Sequence, residues 1–341
     1  MAADAPRIAL VKLSSLGDVV HALPVAATLR AARPHARLTW IAERREAAIL
    51  RGHPALDEIV VADTRGWRRA RRPGAVRAAL GELLALRRRL AAARFDVAVD
   101  LQGLIKSGAI TAATRAPVRV GFHRGWGREP LGALFTNRHV TPPASARHVV
   151  EQYLALLEPL GITERRIEFR LPAVAAAEGR IDEWLATAGL KPQRRLVVLN
   201  PGAARADKRW PVAHFATLAA RLGQDAGAHV VVAWGPGEES AARAIVEGAG
   251  AAGPRAWLAP PTDLDALIAL LRRASVMVAA DTGPLHLGAA LGTPCVGLYG
   301  PTAAARNGPY GARHAALTAP AGAMAALEPA TVLPAVLERL G

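Results

Sequence analysis

Asp281, Thr282, Gly283 and His286 stand close together, directly after the apolar run Val276–Ala280. Such a run fits a central parallel strand covered on both faces. Gly283 allows a close turn, and Pro284 suits the first helical position, where its missing N–H costs nothing. A helix N-terminus at the carboxyl end of a parallel strand suits an anion such as a phosphate. A carboxylate beside it could hold sugar hydroxyls. The plainer roles are a helix cap for Asp281 in an ordinary βα turn and a packed helix histidine for His286.

Other candidates have the same setting. Lys12-Leu13-Ser14-Ser15-Leu16-Gly17-Asp18 runs from a strand into a helix. Asp18 falls in that helix's first turn, where the macrodipole favours the carboxylate form. It is either an N-terminal cap or a carboxylate base facing a cleft. Lys208 sits in a polar loop, residues 201–211, and either points its ammonium at a phosphate or is a solvated loop lysine. Glu239 opens a helix after Gly235-Pro236-Gly237, with Glu238 as the fallback if the turn shifts by one. Its carboxylate either takes ribose hydroxyls or is a favourable charge at a helix start. Arg65, Arg68 and Arg69 surround Trp67 in what reads as a loop from Asp63 to Gly74. Guanidinium forks beside an indole suit carboxylates or phosphates on a bulky ligand. The alternative is a solvated basic loop. Lys106 lies where Gln102-Gly103-Leu104-Ile105-Lys106-Ser107 opens a helix, and Arg128 lies in the weakly periodic stretch His123–Pro143, which reads as a long functional loop.

These positions need strands and helices in alternation. Strands are expected over 7–12, 38–42, 58–62, 96–101 and 118–122. Helices are expected over about 18–32, 75–93 and 148–160, the last ended by Gly161. The alternation pauses around Pro172 and restarts with a helix over 181–188. Strands follow over 196–200, 229–234, 276–280 and 294–299, and helices from Pro211 to about Leu222, from the Glu238–Glu239 turn to about Glu247, and over 264–273. A last helix over 327–340 is able to pack back on the first half. The fold class is therefore α/β, with two Rossmann-like, doubly wound domains over residues 1–170 and 171–341. If the strand carboxyl ends of both halves face one another, they frame one central cleft, a usual place for a small ligand.

Composition narrows the classes. The 341 residues are 51% apolar, enough for two cores. The net charge is +15, and Arg65–Arg94 holds ten arginines against one acid, Glu82. Such a patch can meet nucleic acid, an anionic membrane or an acidic substrate. Zinc-ligand spacing, an RNP-like aromatic motif and a basic heptad array are all missing from the sequence, which argues against specific nucleic-acid binding. The single cysteine, Cys295, lies in an apolar strand and reads as core, so a reducing compartment fits. The short start before the first strand reads as no signal peptide, and no apolar stretch is long enough for a transmembrane helix.

Taken in order, Lys12 to Asp18, Asp100 to Ser107, Lys208-Arg209-Trp210-Pro211, Trp234-Gly235 followed by Glu239, and Asp281 to His286 resemble the bacterial heptosyltransferases of glycosyltransferase family 9. The resemblance spans about Arg7 to Gly311. It implies a GT-B fold, with an N-terminal acceptor-binding domain and a C-terminal ADP-sugar-binding domain. It implies inverting transfer of L-glycero-D-manno-heptose from ADP-heptose to the inner core of lipopolysaccharide. Arg65-Gly66-Trp67-Arg68-Arg69, Gln102 to Ser107 and Arg128-Glu129-Pro130-Leu131 bring it closer to the heptosyltransferase I branch, which implies Kdo-lipid A as acceptor. Asn200-Pro201-Gly202 is nearer the heptosyltransferase II pattern, and Ala203 and Ala204 replace hydroxyl residues of the first branch. A heptosyltransferase II-type or other family 9 transferase acting on a later core sugar thus stays open.

The roles this implies are Asp18 as catalytic base, its pKa raised modestly by the cleft, and Lys208, Glu239, Asp281, Thr282, Gly283 and His286 on the donor. Ser15, Arg65, Arg68, Arg69, Lys106 and Arg128 would meet the acceptor. No cofactor or metal is expected, the partners being the two substrates. The location implied is cytoplasmic, with peripheral contact at the inner face of the inner membrane. Two rivals are a GT-B-type sugar-nucleotide epimerase and a non-enzymatic basic protein that docks on anionic surfaces.

Overall fold

The computed structural model describes residues 5–190, 195–252 and 256–341. The chain divides into two compact units, Met1–Arg170 and Leu171–Gly341. The first runs β1 (Arg7–Val11), α1 (Leu16–Ala32), β2 (Arg37–Ala42), β3 (Glu58–Val61), α2 (Thr64–Arg69), α3 (Pro73–Ala92), β4 (Val97–Asp100), α4 (Ile105–Ala113), β5 (Val118–Phe122), β6 (Arg138–Val140) and α5 (Val149–Ala155). The second runs α6 (Ala175–Thr187), β7 (Leu196–Asn200), α7 (Val212–Ala226), β8 (His229–Val232), α8 (Glu239–Ala252), β9 (Ala256–Leu258), α9 (Leu264–Arg273), β10 (Val276–Ala280), α10 (Gly283–Ala290), β11 (Cys295–Tyr299), α11 (Ala304–Asn307), β12 (Ala315–Thr318) and α12 (Pro329–Leu340).

Each unit holds one parallel sheet of six strands, ordered β3-β2-β1-β4-β5-β6 and β12-β11-β10-β7-β8-β9. Numbered within its own unit, the second order is the first read backwards. Both are the doubly wound arrangement, in which the direction of winding reverses between the first and fourth strands. Those switch points lie between β1 and β4, where Val11 pairs with Asp100, and between β7 and β10, where Asn200 pairs with Ala279. Apolar runs became central strands because only a strand covered on both faces needs them. Every residue of β7, β10 and β11 is buried.

Several expectations change. The stretch 63–74 is not all loop. Asp63 accepts from the Gly66 amide at 2.8 Å and caps α2, so Gly66 lies inside a helical turn. Residues 123–143 hold a 3₁₀ turn, Pro130–Phe135, and the edge strand β6. Two further edge strands, β9 and β12, lie where no strand was expected. Cys295 is fully buried in β11 and its thiol donates to the Thr293 carbonyl at 3.1 Å. Among the described residues, no helix is long and apolar enough to cross a membrane.

Candidate active site

In the first unit, Lys12 follows β1 without a break and is buried, 4% exposed at its side chain. A charged residue continuing the apolar run Ile8–Val11 needs partners. Its ammonium donates to the Tyr153 hydroxyl at 2.7 Å and to the Leu101 carbonyl at 3.3 Å, across the switch point. Gln102 closes the same gap: its side-chain oxygen accepts from the Leu13 and Ser14 amides, and its amide donates to the Ser14 carbonyl. The Ser14–Ser15 peptide is cis.

Asp18 sits in the first turn of α1, its side chain 26% exposed. Its carboxylate accepts from the Ser15 amide at 3.1 Å and hydroxyl at 2.8 Å, and from the Tyr153 hydroxyl at 3.4 Å. The Lys12 ammonium lies 4.0 Å away. Burial pushes the Asp18 pKa up, but Lys12, the two Ser15 hydrogen bonds and the charge of Arg128 together pull it below the ordinary value. The modest rise expected from the sequence is thus replaced by a depression. A lysine and a tyrosine thus hold Asp18 toward its ionised form. Ser15, expected to meet the acceptor, donates its hydroxyl to Asp18.

The basic residues of this unit fall into two groups. Arg65 forms a two-pronged pair with the buried Glu46, at 2.8 and 3.2 Å. The Lys106 ammonium lies 3.6 Å from the buried Glu43, which also accepts from the Thr64 hydroxyl. Arg68, Arg69 and Arg128 are exposed, and no ion pair holds them among the described residues. Asp100 has a structural task. Burial raises its pKa, and it accepts from the Gln102 and Gly103 amides and the Ser107 hydroxyl, which fixes the turn into α4.

In the second unit, Trp210 explains the placement of Lys208. The indole is buried at 2% exposure, meets Phe215 edge to face with ring centres 4.7 Å apart, and donates to the Leu327 carbonyl at 2.7 Å. Arg209 donates to the Ala203 carbonyl at 2.9 Å and folds the loop back on its start. So anchored, Lys208 reaches Asp281 at 2.7 Å. The sequence pointed Lys208 at a phosphate; in the fold its ammonium rests on this carboxylate. His286, one turn into α10, meets the other oxygen of Asp281 at 3.1 Å. Burial disfavours charge on Asp281, and the hydrogen bonds of His286 and Lys208 outweigh it, holding the carboxyl far below the usual range. Thr282 is the N-cap of α10; its hydroxyl turns back to the Ala280 carbonyl at 3.1 Å and does not cap the helix. The first-turn amides from Gly283 onward therefore lack that side-chain cap, as an anion site requires.

Glu238 and Glu239 diverge. Glu238 accepts from the Gly235 amide at 2.8 Å, and a Cβ on Gly202 would overlap its carboxylate. It holds the turn after β8 against the end of β7. Among the described residues, Glu239 makes only an i,i+4 pair with Arg243 on the surface of α8. Among the described residues, no group of three or more His, Cys, Asp or Glu is placed to hold a metal ion. Lys12 and Gln102 stand in the sequence motifs without a role of their own, and Tyr153 and Glu43 stand in none. A lysine continuing an apolar strand was the available signal for the first; the partnerships of the others appear only in long-range contacts.

Residues 83–336 match Glycosyltransferase family 9 (heptosyltransferase). The chain is 30% identical over 315 residues to Lipopolysaccharide heptosyltransferase 1 of Escherichia coli K12, covering 92% of this chain and 94% of the relative. It is 33% identical over 306 residues to the protein of that name from Pseudomonas aeruginosa, covering 89% and 81%. Its fold superimposes on E. coli heptosyltransferase WaaC with ADP at a TM-score of 0.80 and 30% identity, covering 98% and 99% of the two chains. WaaC has also been solved with ADP-2-deoxy-2-fluoro heptose; there the TM-score is 0.78 at 30% identity, over 97% and 99%.

Proposed function

This chain belongs to glycosyltransferase family 9 and is a glycosyltransferase of the heptosyltransferase 1 kind, and we propose that it moves L-glycero-D-manno-heptose from ADP-heptose to the Kdo of Kdo-lipid A. The observation that carries the reading is a shared one: at both switch points an ionised carboxylate has a lysine against it, Asp18 with Lys12 at 4.0 Å and Asp281 with Lys208 at 2.7 Å.

Asp18 takes the proton from the acceptor hydroxyl as that oxygen attacks the anomeric carbon from the face opposite ADP. The configuration inverts and the carbon–oxygen bond to the diphosphate breaks. With its pKa lowered, Asp18 stands at neutral pH in the form that accepts a proton. Negative charge then grows on ADP. Lys208 and the amides of Thr282 and Gly283 offset it, a preorganised positive site at a helix N-terminus. Asp281 orients heptose hydroxyls, with His286 fixing its carboxylate. Glu239 can leave Arg243 at little cost, since an exposed i,i+4 pair contributes only about 0.3–0.5 kcal/mol, and takes nucleoside or sugar hydroxyls. Arg68, Arg69 and Arg128 meet acceptor carboxylates and phosphates. Arg65 and Lys106, already paired, brace that surface and add to its field. The chemistry assigned needs no metal, so turnover should survive a chelator.

The reading includes peripheral contact with the inner face of the inner membrane, where a lipid-borne acceptor resides. The test is ADP release from ADP-heptose with and without Kdo-lipid A, with the product weighed by mass spectrometry. A gain of one heptose that depends on the acceptor is expected. Asn200-Pro201-Gly202 favours a second reading, transfer to an already heptosylated core, which the same assay separates by exchanging the acceptor.

A further inference from the structure

The helix α3 lies beside α2 and α4 and buries only Leu86 and Leu90 of its twenty residues. Val76, Leu80, Leu83 and Leu84 remain exposed, Leu80 at 55% and Leu84 at 50%. At 100° per residue these four positions, with Arg87, fall on one arc of the helix, and Arg77 and Arg88 follow at its edge. Leu83, Leu84 and Arg87 of this arc also line a cavity of about 680 Å³, together with Trp67, Leu86, Leu90 and Ile110. Its rim carries Arg68, Arg87, Lys106 and Arg115. Apart from Lys106, which meets Glu43, no ion pair holds these rim cations among the described residues.

An exposed apolar arc edged by arginines belongs on a surface that is apolar inside and anionic outside. Arginine stems lie along apolar groups while their heads reach outward, and such a helix rests in the headgroup–acyl boundary. The ten arginines of Arg65–Arg94 supply the attraction to negative lipid. We propose that α3 is the membrane-docking element of this protein and that the cavity it lines seats an acyl chain of an anionic phospholipid, whose phosphate lies between Arg87 and Arg115. This deepens the peripheral contact proposed above and rests on it. It assigns the hold to apolar insertion as well as to charge.

Trp67 gives a direct readout, because it lies in the cavity wall. The whole chain is mixed with vesicles of phosphatidylglycerol brominated on the acyl chain, and tryptophan fluorescence is compared between the native protein and Trp67→Phe. The expected result is quenching that is smaller in Trp67→Phe and persists when salt is raised. Leu80→Glu/Leu84→Glu changes only exposed positions, so the fold survives; its vesicle affinity should drop roughly tenfold or more, with transfer to a de-acylated Kdo acceptor unchanged. Binding that salt abolishes, with no quenching of Trp67, would overturn the proposal and leave arginines alone as the attachment. So would a double variant that binds like the native protein. A dimer that the same variant splits in lipid-free solution would give the face to a second copy of this chain. The vesicles hold neither donor nor acceptor, so failure here leaves the transferase reading standing. Silence in the transfer assay would leave this docking result intact.

Discussion

Lys208 and Asp281 lie 73 positions apart in the chain, and their side chains meet at 2.7 Å beside the first turn of α10. The buried Trp210 fixes one partner and His286 the other, so the fold itself holds both groups in place. Preorganisation of this kind lowers the price of binding, because little side-chain freedom remains to be lost. It also keeps the buried carboxylate from standing uncompensated.

Lys208→Ala should therefore lower kcat or raise the KM for ADP-heptose by roughly 10–100-fold, the range of a lost charge-assisted contact. Steady-state kinetics with varied donor check this. A near-silent variant would make Lys208 a structural partner of Asp281 only.

Asp18→Ala should abolish turnover while ADP-heptose still binds, as measured by calorimetry on the folded variant. Asp18→Asn, which keeps the shape, should be equally inactive, because an amide cannot accept the proton. Loss of donor binding in either variant would remove Asp18 from the role of base.

The pH dependence follows from the depressed pKa of Asp18. A base works in its ionised form, so kcat/KM falls only as pH drops through the folded pKa, below the usual carboxylate value of about 3.9. The profile should be level on the acid side down to about pH 5. Lys12→Met removes a charge that stabilises the carboxylate, and should move the acid limb upward. Stability follows the same sign. Asp18 and Asp281, both depressed, stabilise the fold above the unfolded carboxylate pKa and lose that contribution as pH falls toward their folded values. Circular dichroism at each pH separates unfolding from loss of the base.

Glu238 and Glu239 should separate in mutagenesis. Glu239→Ala gives up one exposed pair and should leave the melting temperature nearly unchanged while raising the donor KM. Glu238→Ala leaves the Gly235 amide without its partner and should lower stability by about 1 kcal/mol. A Glu239→Ala enzyme with native donor KM would remove that residue from the site.

The turn at Asp281-Thr282-Gly283-Pro284 was legible in the sequence because every signal there is local: an apolar strand, then a glycine, then proline at a helix start. The central strands were legible for the same reason. The edge strands β6, β9 and β12 were not. Arg138 and His139 are exposed, and alternate residues of β12 face outward, so neither strand carries the apolar run that marks a covered one. The side-chain partnerships were less legible still. Lys12 with Tyr153, Arg65 with Glu46 and Lys208 with Asp281 join residues brought together only by strand order. That is why Arg65 reads as a ligand contact in the sequence, while its pairing with Glu46 shows only in the fold.

Cys295 gives the molecule a built-in unfolding clock. It is the single cysteine, fully enclosed in β11, and burial pushes its thiol pKa up. An alkylating reagent should therefore pass over the native protein and react only when the centre of the second sheet opens. The rate of modification then reads the opening frequency of the sheet that carries Lys208 and Asp281, without a label and without a change of sequence. Slower alkylation in the presence of ADP would report ligand capture as kinetic protection of a residue that touches no ligand.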